Sequence, residues 1–284
     1  MKARIWITAA VLLVLLSAML NLFSACRSDE EEEGDVTTTS ALPDEKLAAR
    51  EKDNAFAYDV YQTYVEITSY HGQSAIVSVP ATHGGLPVAS VGQSAFMNNT
   101  VISRVSLPES VVNIAAMAFM GCSSLQNVTM PGIRAVGVSA FRGSGLTEVE
   151  LPVTLQNLGQ YAFAGTALSS VELNCTVPIV GDYAFSDCTR LTEVTLGEGI
   201  AEISYRMFEH CTALQTVRMT DRVKKVDAYA FAGCTALREL TLPASVTEMG
   251  EGVFYGVSDI TVTAKRGSAA YEYCERNSVP CREA

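Results

Sequence analysis

Eight phenylalanines recur almost in step along this chain: Phe96, Phe119, Phe141, Phe163, Phe185, Phe208, Phe231 and Phe254, at intervals of 23, 22, 22, 22, 23, 23 and 23 residues. A period of this length is the mark of stacked coils. One such repeat cannot bury its apolar residues alone, and neighbours must share a core. Other positions keep the same phase. Five or six residues after each Phe stands Ile102, Leu125, Leu146, Leu168, Leu191, Leu214 or Leu237. An alternating apolar pair follows, as in Val105/Leu107, Val149/Leu151, Val194/Leu196 and Leu240/Leu242, and often then a proline: Pro108, Pro131, Pro152, Pro243. Alternation predicts a short strand, and the proline ends it. Val111/Ile114, Leu155/Leu158, Ile200/Ile203 and Val246/Met249 lead on to the next Phe.

This phase predicts an α/β repeat solenoid with one short strand per 22–23-residue repeat and short turns or helices on the opposite face. Successive strands lie side by side as a parallel sheet, about 4.8 Å apart. With Val77/Val79 in the first strand and Ile260/Val262 in the last, the sheet has nine strands and runs for roughly 40 Å.

The segments Ala118-Phe119-Met120-Gly121-Cys122-Ser123-Ser124-Leu125 and Ala230-Phe231-Ala232-Gly233-Cys234-Thr235-Ala236-Leu237 resemble the BspA-like class of leucine-rich repeat. Gly267-Ser268-Ala269-Ala270-Tyr271 is similar to that family's C-terminal cap. The resemblance covers about residues 60–284 and implies a right-handed solenoid of a bacterial surface protein, with adhesion as its expected role. On this reading residues 55–95 are an N-terminal cap and first strand, 96–256 the repeats, and 257–284 the last strand and C-terminal cap.

The beginning of the chain reads differently. Lys2 and Arg4 precede an apolar run from Ile5 to Phe23, and Ser24-Ala25 stand before Cys26. A basic, apolar, small order is an export signal. Leu22-Phe23-Ser24-Ala25-Cys26 resembles a bacterial lipobox, with Phe23 where the family has Leu. It implies removal of residues 1–25 and lipidation of Cys26 on the outer face of a membrane. The apolar run also fits an uncleaved signal anchor, or simple secretion. Residues 26–54, with the run Asp29 to Glu33, read as an acidic flexible tether. They have too little apolar surface to offset their ordering entropy, and like charges hold them extended. The formal charge of −11 and the absence of a Lys/Arg stripe exclude nucleic acid as a partner.

Catalytic signatures are missing: there is no GxSxG elbow, no phosphate loop and no HExxH, and the only histidines are His71, His83 and His210. No enzyme activity, cofactor or metal is expected. Cys122, Cys188, Cys211 and Cys234 each follow their Phe by three residues and read as buried free thiols. The last three, one per adjacent repeat, also suit a disulfide in an oxidising exterior or, with His210 turned inward, a zinc site. Cys274 and Cys281, outside the phase, are candidates for a disulfide clasp, and Cys175 has no evident partner.

Two surfaces are candidates for binding. Outward strand positions form one row of Ser106, Thr129, Glu150, Glu172, Thr195, Arg218, Thr241 and Thr261, and a second of Arg104, Asn127, Glu148, Ser170, Glu193, Thr216, Glu239 and Asp259. Glu148, Glu150, Glu172 and Glu193 make the centre acidic, suited to a basic partner or a divalent cation, or simply solvated. Tyr161, Tyr183 and Tyr229 stand two residues before a Phe and Tyr205 three before. They form either an exposed strip for protein or glycan contact, or internal packing between turns. The expected function is an exported, membrane-anchored module binding host or bacterial surface proteins. A structural scaffold of the envelope and a glycan-binding surface protein are the alternatives.

Overall fold

The computed structural model describes residues 42–43, 45–174 and 179–284. The expected signal peptide, Cys26, the acidic run and Cys175 lie outside the described residues.

Each repeat closes one coil of backbone, and the coils stack in register through two parallel ladders, where the sequence predicts one. In the first ladder Ile76–Ser78, Arg104–Ser106 and Asn127–Thr129 pair side by side. Ser170–Leu173, Glu193–Leu196 and Thr216–Arg218 form a second group, and Glu239–Thr241, Thr261–Ala264 and Cys281–Glu283 a third. The second ladder uses the apolar pairs that precede each Phe. Leu86–Val91, Asn113–Ile114, Ala135–Val136, Asn157–Leu158 and Ile179–Val180 pair in order, as do Glu202–Ile203, Lys225–Val226 and Glu248–Met249. Most of these strands are two residues long, too short for an alternation to show in sequence. The face opposite the first ladder is built of strands and turns. The one α-helix among the described residues, α1 (Ala269–Asn277), lies in the C-terminal cap, with Ser268 Oγ accepting from Tyr271 N at its start.

The first ladder is not the continuous nine-stranded sheet expected. No strand forms over residues 147–151, and Val149 is half-buried where Val128 and Val171 are each only 2% exposed. A second interruption separates Thr216–Arg218 from Glu239–Thr241. The last strand is also displaced: Thr241 pairs with Thr263 and Glu239 with Thr261, so Thr261 and Asp259 each give way to the residue two places on. Ile260 stands 23 residues after Leu237 and continues the leucine row, and the strand begins after it.

The tether boundary at residue 54 falls inside the N-terminal cap. Ala49–Lys52 is a strand, antiparallel to Phe56–Val60, which in turn pairs with Val65–Tyr70. The Glu45 carboxylate accepts from Gln62 N at 2.9 Å and Thr63 N at 3.1 Å. All four residues of Ala49–Lys52 are exposed, so backbone hydrogen bonds hold this strand and hydropathy does not reveal it.

The phenylalanines form a single column of stacked rings. Consecutive centroids from Phe96 to Phe254 lie 4.7–6.2 Å apart, with planes within 19° of parallel. Tyr70 closes the column at Phe96, 5.2 Å away, and Tyr273 of α1 meets Phe254 edge-on at 6.1 Å. Each repeat cysteine is a buried free thiol that donates to the Phe carbonyl one coil back: Cys122 to Phe96 (3.0 Å), Cys188 to Phe163 (3.2 Å), Cys211 to Phe185 (3.2 Å) and Cys234 to Phe208 (3.1 Å). Burial pushes the Cys122 thiol up to about 11 and that of Cys234 up to about 12, and raises Cys188 and Cys211 too.

Candidate functional site

The turn around each Phe is laced to the next coil by three backbone N–H groups. In the Phe163 repeat, Tyr161 N donates to Asp182 O (3.0 Å), Phe163 N to Ala184 O (2.8 Å) and Gly165 N to Ser186 O (2.8 Å). This geometry needs the left-handed conformation twice per repeat. Two residues after Phe the position is filled by Asn98, Gly121, Gly143, Gly165, Asp187, His210, Gly233 and Gly256, all at positive φ. Most are Gly, Asn or Asp, the residues that adopt this conformation with least strain.

Two residues before Phe the pattern departs from that rule. Ser94, Met117, Ser139, Tyr161, Tyr183, Arg206, Tyr229 and Gly252 all have φ between 52° and 57°. A side chain there costs roughly 1–2 kcal/mol of backbone strain. The fold does not require a large one, since Ser94, Ser139 and Gly252 occupy the same place in other coils. Serine bears the same backbone strain as tyrosine, so the coils differ here only in the side chain they project along the edge of the stack.

What they project is a ridge. The Tyr161 and Tyr183 rings stack at 4.5 Å, and Tyr183–Tyr205, Tyr205–Tyr229 and Tyr229–Tyr255 meet edge-on at 5.5, 6.2 and 6.3 Å. The Arg206 guanidinium lies 5.7, 5.2 and 4.8 Å from the ring centres of Tyr183, Tyr205 and Tyr229. Its Nη1 donates to Glu209 Oε1 at 3.0 Å. Arg142 lies over Tyr161 at 4.9 Å. Burial and the neighbouring Tyr161 raise the Tyr183 phenol, keeping it protonated across the physiological range. The ridge both packs on itself and faces solvent, and Tyr255 is 73% exposed. All four tyrosines singled out in the sequence come together here. Tyr255, Arg206 and Arg142 escaped that reading. Tyr255 follows its Phe by one residue, outside the phase, and Arg206 interrupts the tyrosine row, although its own position in the repeat marked it.

At the C-terminal end of the ridge a cavity of about 440 Å³ opens between Arg206, Glu209, His210, Tyr229, Gly233 and Tyr255. His210 is exposed and pairs through Nδ1 with Asp187 Oδ1 at 3.2 Å. It does not turn inward towards Cys188, Cys211 and Cys234, whose thiols are committed to Phe carbonyls, so the zinc reading fails.

The acidic strand face is less unified than its sequence. Glu193 is paired with Arg218 on the neighbouring coil. Asn127 Nδ2 donates to Glu148 Oε1 and Asn174 Nδ2 to Glu172 Oε2, each at 3.0 Å, and Glu150 is exposed. Beside the interrupted strand a depression of about 380 Å³ is lined by Asn127, Thr129, Met130, Glu148, Glu150 and Pro152. Among the described residues no group of three His, Cys, Asp or Glu side chains is placed to hold a metal ion, which removes support for the divalent-cation reading.

In the N-terminal cap, His83 stacks on Tyr58 at 3.9 Å and pairs with Glu51 at 2.7 Å, while His71 Nε2 meets Asp53 O at 2.9 Å. These contacts tie Ala49–Lys52 and the following turn to the cap. Cys274, buried on α1, and Cys281, half-buried in the last strand, are neighbouring free thiols and not a closed clasp. Among the described residues no helix is long and apolar enough to cross a membrane.

The family model for the BspA type leucine rich repeat region matches the chain over residues 89–174 and 156–275, in six copies. The chain belongs to that family. As a BspA-type repeat protein it is similar to the Treponema pallidum leucine rich repeat protein TpLRR, at 30% identity over 66% of this chain and 91% of the other, with a TM-score of 0.59. Matches of lower similarity include a leucine rich cell surface protein of Faecalibacterium prausnitzii, at 18% identity, 80% and 97% coverage and a TM-score of 0.32. Another is the pneumococcal vaccine antigen PcpA, at 18% identity, 78% and 51% coverage and a TM-score of 0.36. No curated relative matches it.

Proposed function

We propose that this BspA-type protein is an exported, lipid-anchored cell-surface module that binds other proteins, with the tyrosine ridge as its docking surface. The observation that carries the reading is the unbroken run of large side chains, Tyr161, Tyr183, Arg206 and Tyr229, at a place where serine or glycine serves in other coils. The left-handed backbone is common to every coil, so the side chains and not the strain distinguish these four places. Tyrosine and arginine are also the side chains that concentrate energy at protein interfaces. Lipidation at Cys26 would place the ridge outside the cell, and the acidic tether would hold it clear of the membrane. The strand face, with Glu148, Glu150, Glu172, Glu193 and Arg218, is a second and more polar contact area.

The test compares intact cells producing the full chain with cells producing Cys26→Ala. Plates coated with fibronectin, laminin, collagen or purified bacterial surface proteins should retain the former, and a labelled lipid precursor should enter only the former. Retention on none of these plates, with retention on a mannan coat, would replace protein binding by glycan binding.

A further inference from the structure

The ridge shows what it accepts through its own arginines. Arg142 covers Tyr161, and Arg206 fills the space among Tyr183, Tyr205 and Tyr229. Beyond Tyr229 the series continues without a further arginine. The place two residues before Phe254 is held by Gly252, against which the Tyr229 ring packs so closely that a Cβ would stand 2.5 Å from it. Beside that contact, and open to solvent, is the cavity lined by Tyr229, Tyr255 and His210, with Gly233 in its wall.

The polar groups around this space favour a cation. Glu209 is paired with Arg206, which leaves Glu251, at 3.3 Å from the Tyr229 hydroxyl, and Asp187, which holds His210, with no guanidinium against them among the described residues. The chain as a whole carries −11. An aromatic face attracts a cation through its quadrupole, and the attraction grows as water is excluded.

Resting on the protein-binding reading above, we propose that this terminal cavity receives an arginine side chain from a basic segment of the partner protein. The incoming guanidinium lies over the exposed ring of Tyr255 and continues the alternation of tyrosine and arginine that Arg142 and Arg206 begin. Glu251 supplies the balancing charge, since Glu209 already neutralises Arg206.

The experiment measures fluorescence anisotropy of a labelled Gly-Arg-Gly-Arg-Gly peptide on the full chain in detergent, beside the same peptide with citrulline in place of arginine. Citrulline keeps the shape and removes the charge. The arginine peptide should bind about tenfold more tightly than the citrulline peptide, and Tyr255→Ala should remove a similar factor. Because Tyr255 is 73% exposed, this substitution leaves the core untouched. Binding should also weaken as salt is raised from about 0.1 to about 1 M, where the screening length falls from roughly 10 to 3 Å. Equal affinity for the two peptides, unchanged binding by Tyr255→Ala, or Tyr255-dependent binding of neutral maltotriose alone overturns the proposal. If the arginine peptide fails while Tyr183→Ser still abolishes retention on a protein-coated plate, only the basic-segment inference falls. If both fail, the protein-binding reading falls with it.

Discussion

Phe141 and Phe163 lie with ring centres 5.1 Å apart and planes 3° from parallel. That distance is close to the spacing of paired strands, so one interval serves the backbone ladders and the aromatic column alike. Both rings are fully buried, and each is held by the coils on either side of it. The column and the ladders therefore fail together or not at all.

Removal of one ring tests this coupling. Phe163→Ala should destabilise the protein by about 3–5 kcal/mol, as truncation of a buried aromatic does. Thr195→Ala, in the outward row of the first ladder, should stay within about 0.5 kcal/mol of the parent. Denaturant titrations followed by circular dichroism measure both. Equal effects would show that inside and outside have been misassigned.

Two glycines in one turn separate backbone strain from crowding. Gly143 has φ of +65° with open space around a Cβ, whereas a Cβ on Gly145 would stand 2.2 Å from Ser123 O. Gly143→Ala should cost about 1 kcal/mol, and Gly143→Asn less, since Asn98 adopts the same conformation in another coil. Gly145→Ala should cost more than either because two coils must move apart. The order of melting temperatures across the three variants checks this.

The phase of phenylalanine, leucine and strand valine was legible because burial forces it on every coil. The features that escaped are fixed by other forces. The strands Asn113–Ile114 and Ala135–Val136 are too short to alternate. Ala49–Lys52 is held by backbone hydrogen bonds along an exposed edge. Ile260 is buried like a strand residue but belongs to the leucine row, which shifted the final strand by two places. At the ridge, Tyr161, Tyr183 and Tyr229 were visible by spacing alone. The left-handed backbone beneath them was not, because tyrosine does not announce it as glycine does.

The repeat thiols set an alkaline limit on stability. The ordinary cysteine value is 9.0, and burial carries Cys122 to about 11 and Cys234 to about 12 in the folded chain. A folded-state value raised in this way means the native state holds the proton longer than the unfolded state. The stabilisation is therefore complete below about pH 9 and is lost as pH rises through the folded values. Denaturation midpoints should fall between pH 9 and pH 12, and less steeply in Cys234→Ala. In the native protein at neutral pH, peptide mapping after iodoacetamide treatment should find Cys122, Cys188, Cys211 and Cys234 unmodified, and urea should expose them. Labelling of all four without denaturant would contradict their burial.

The central claim is that the ridge exists for a partner and not for the fold. Its most direct test is the triple variant Tyr161→Ser, Tyr183→Ser and Tyr229→Ser, which places at each site the residue that Ser94 and Ser139 already provide elsewhere. Two quantities are measured on one preparation: retention on the coated protein that captures the parent, and unfolding free energy in urea. Retention should fall at least about tenfold, while the loss of stability stays near 1 kcal/mol or less per site, because relief of packing between half-buried rings is small beside removal of a core Phe. Undiminished retention, or a per-site loss of stability as large as that of Phe163→Ala, would make the tyrosines structural packing and remove the ridge as a binding surface.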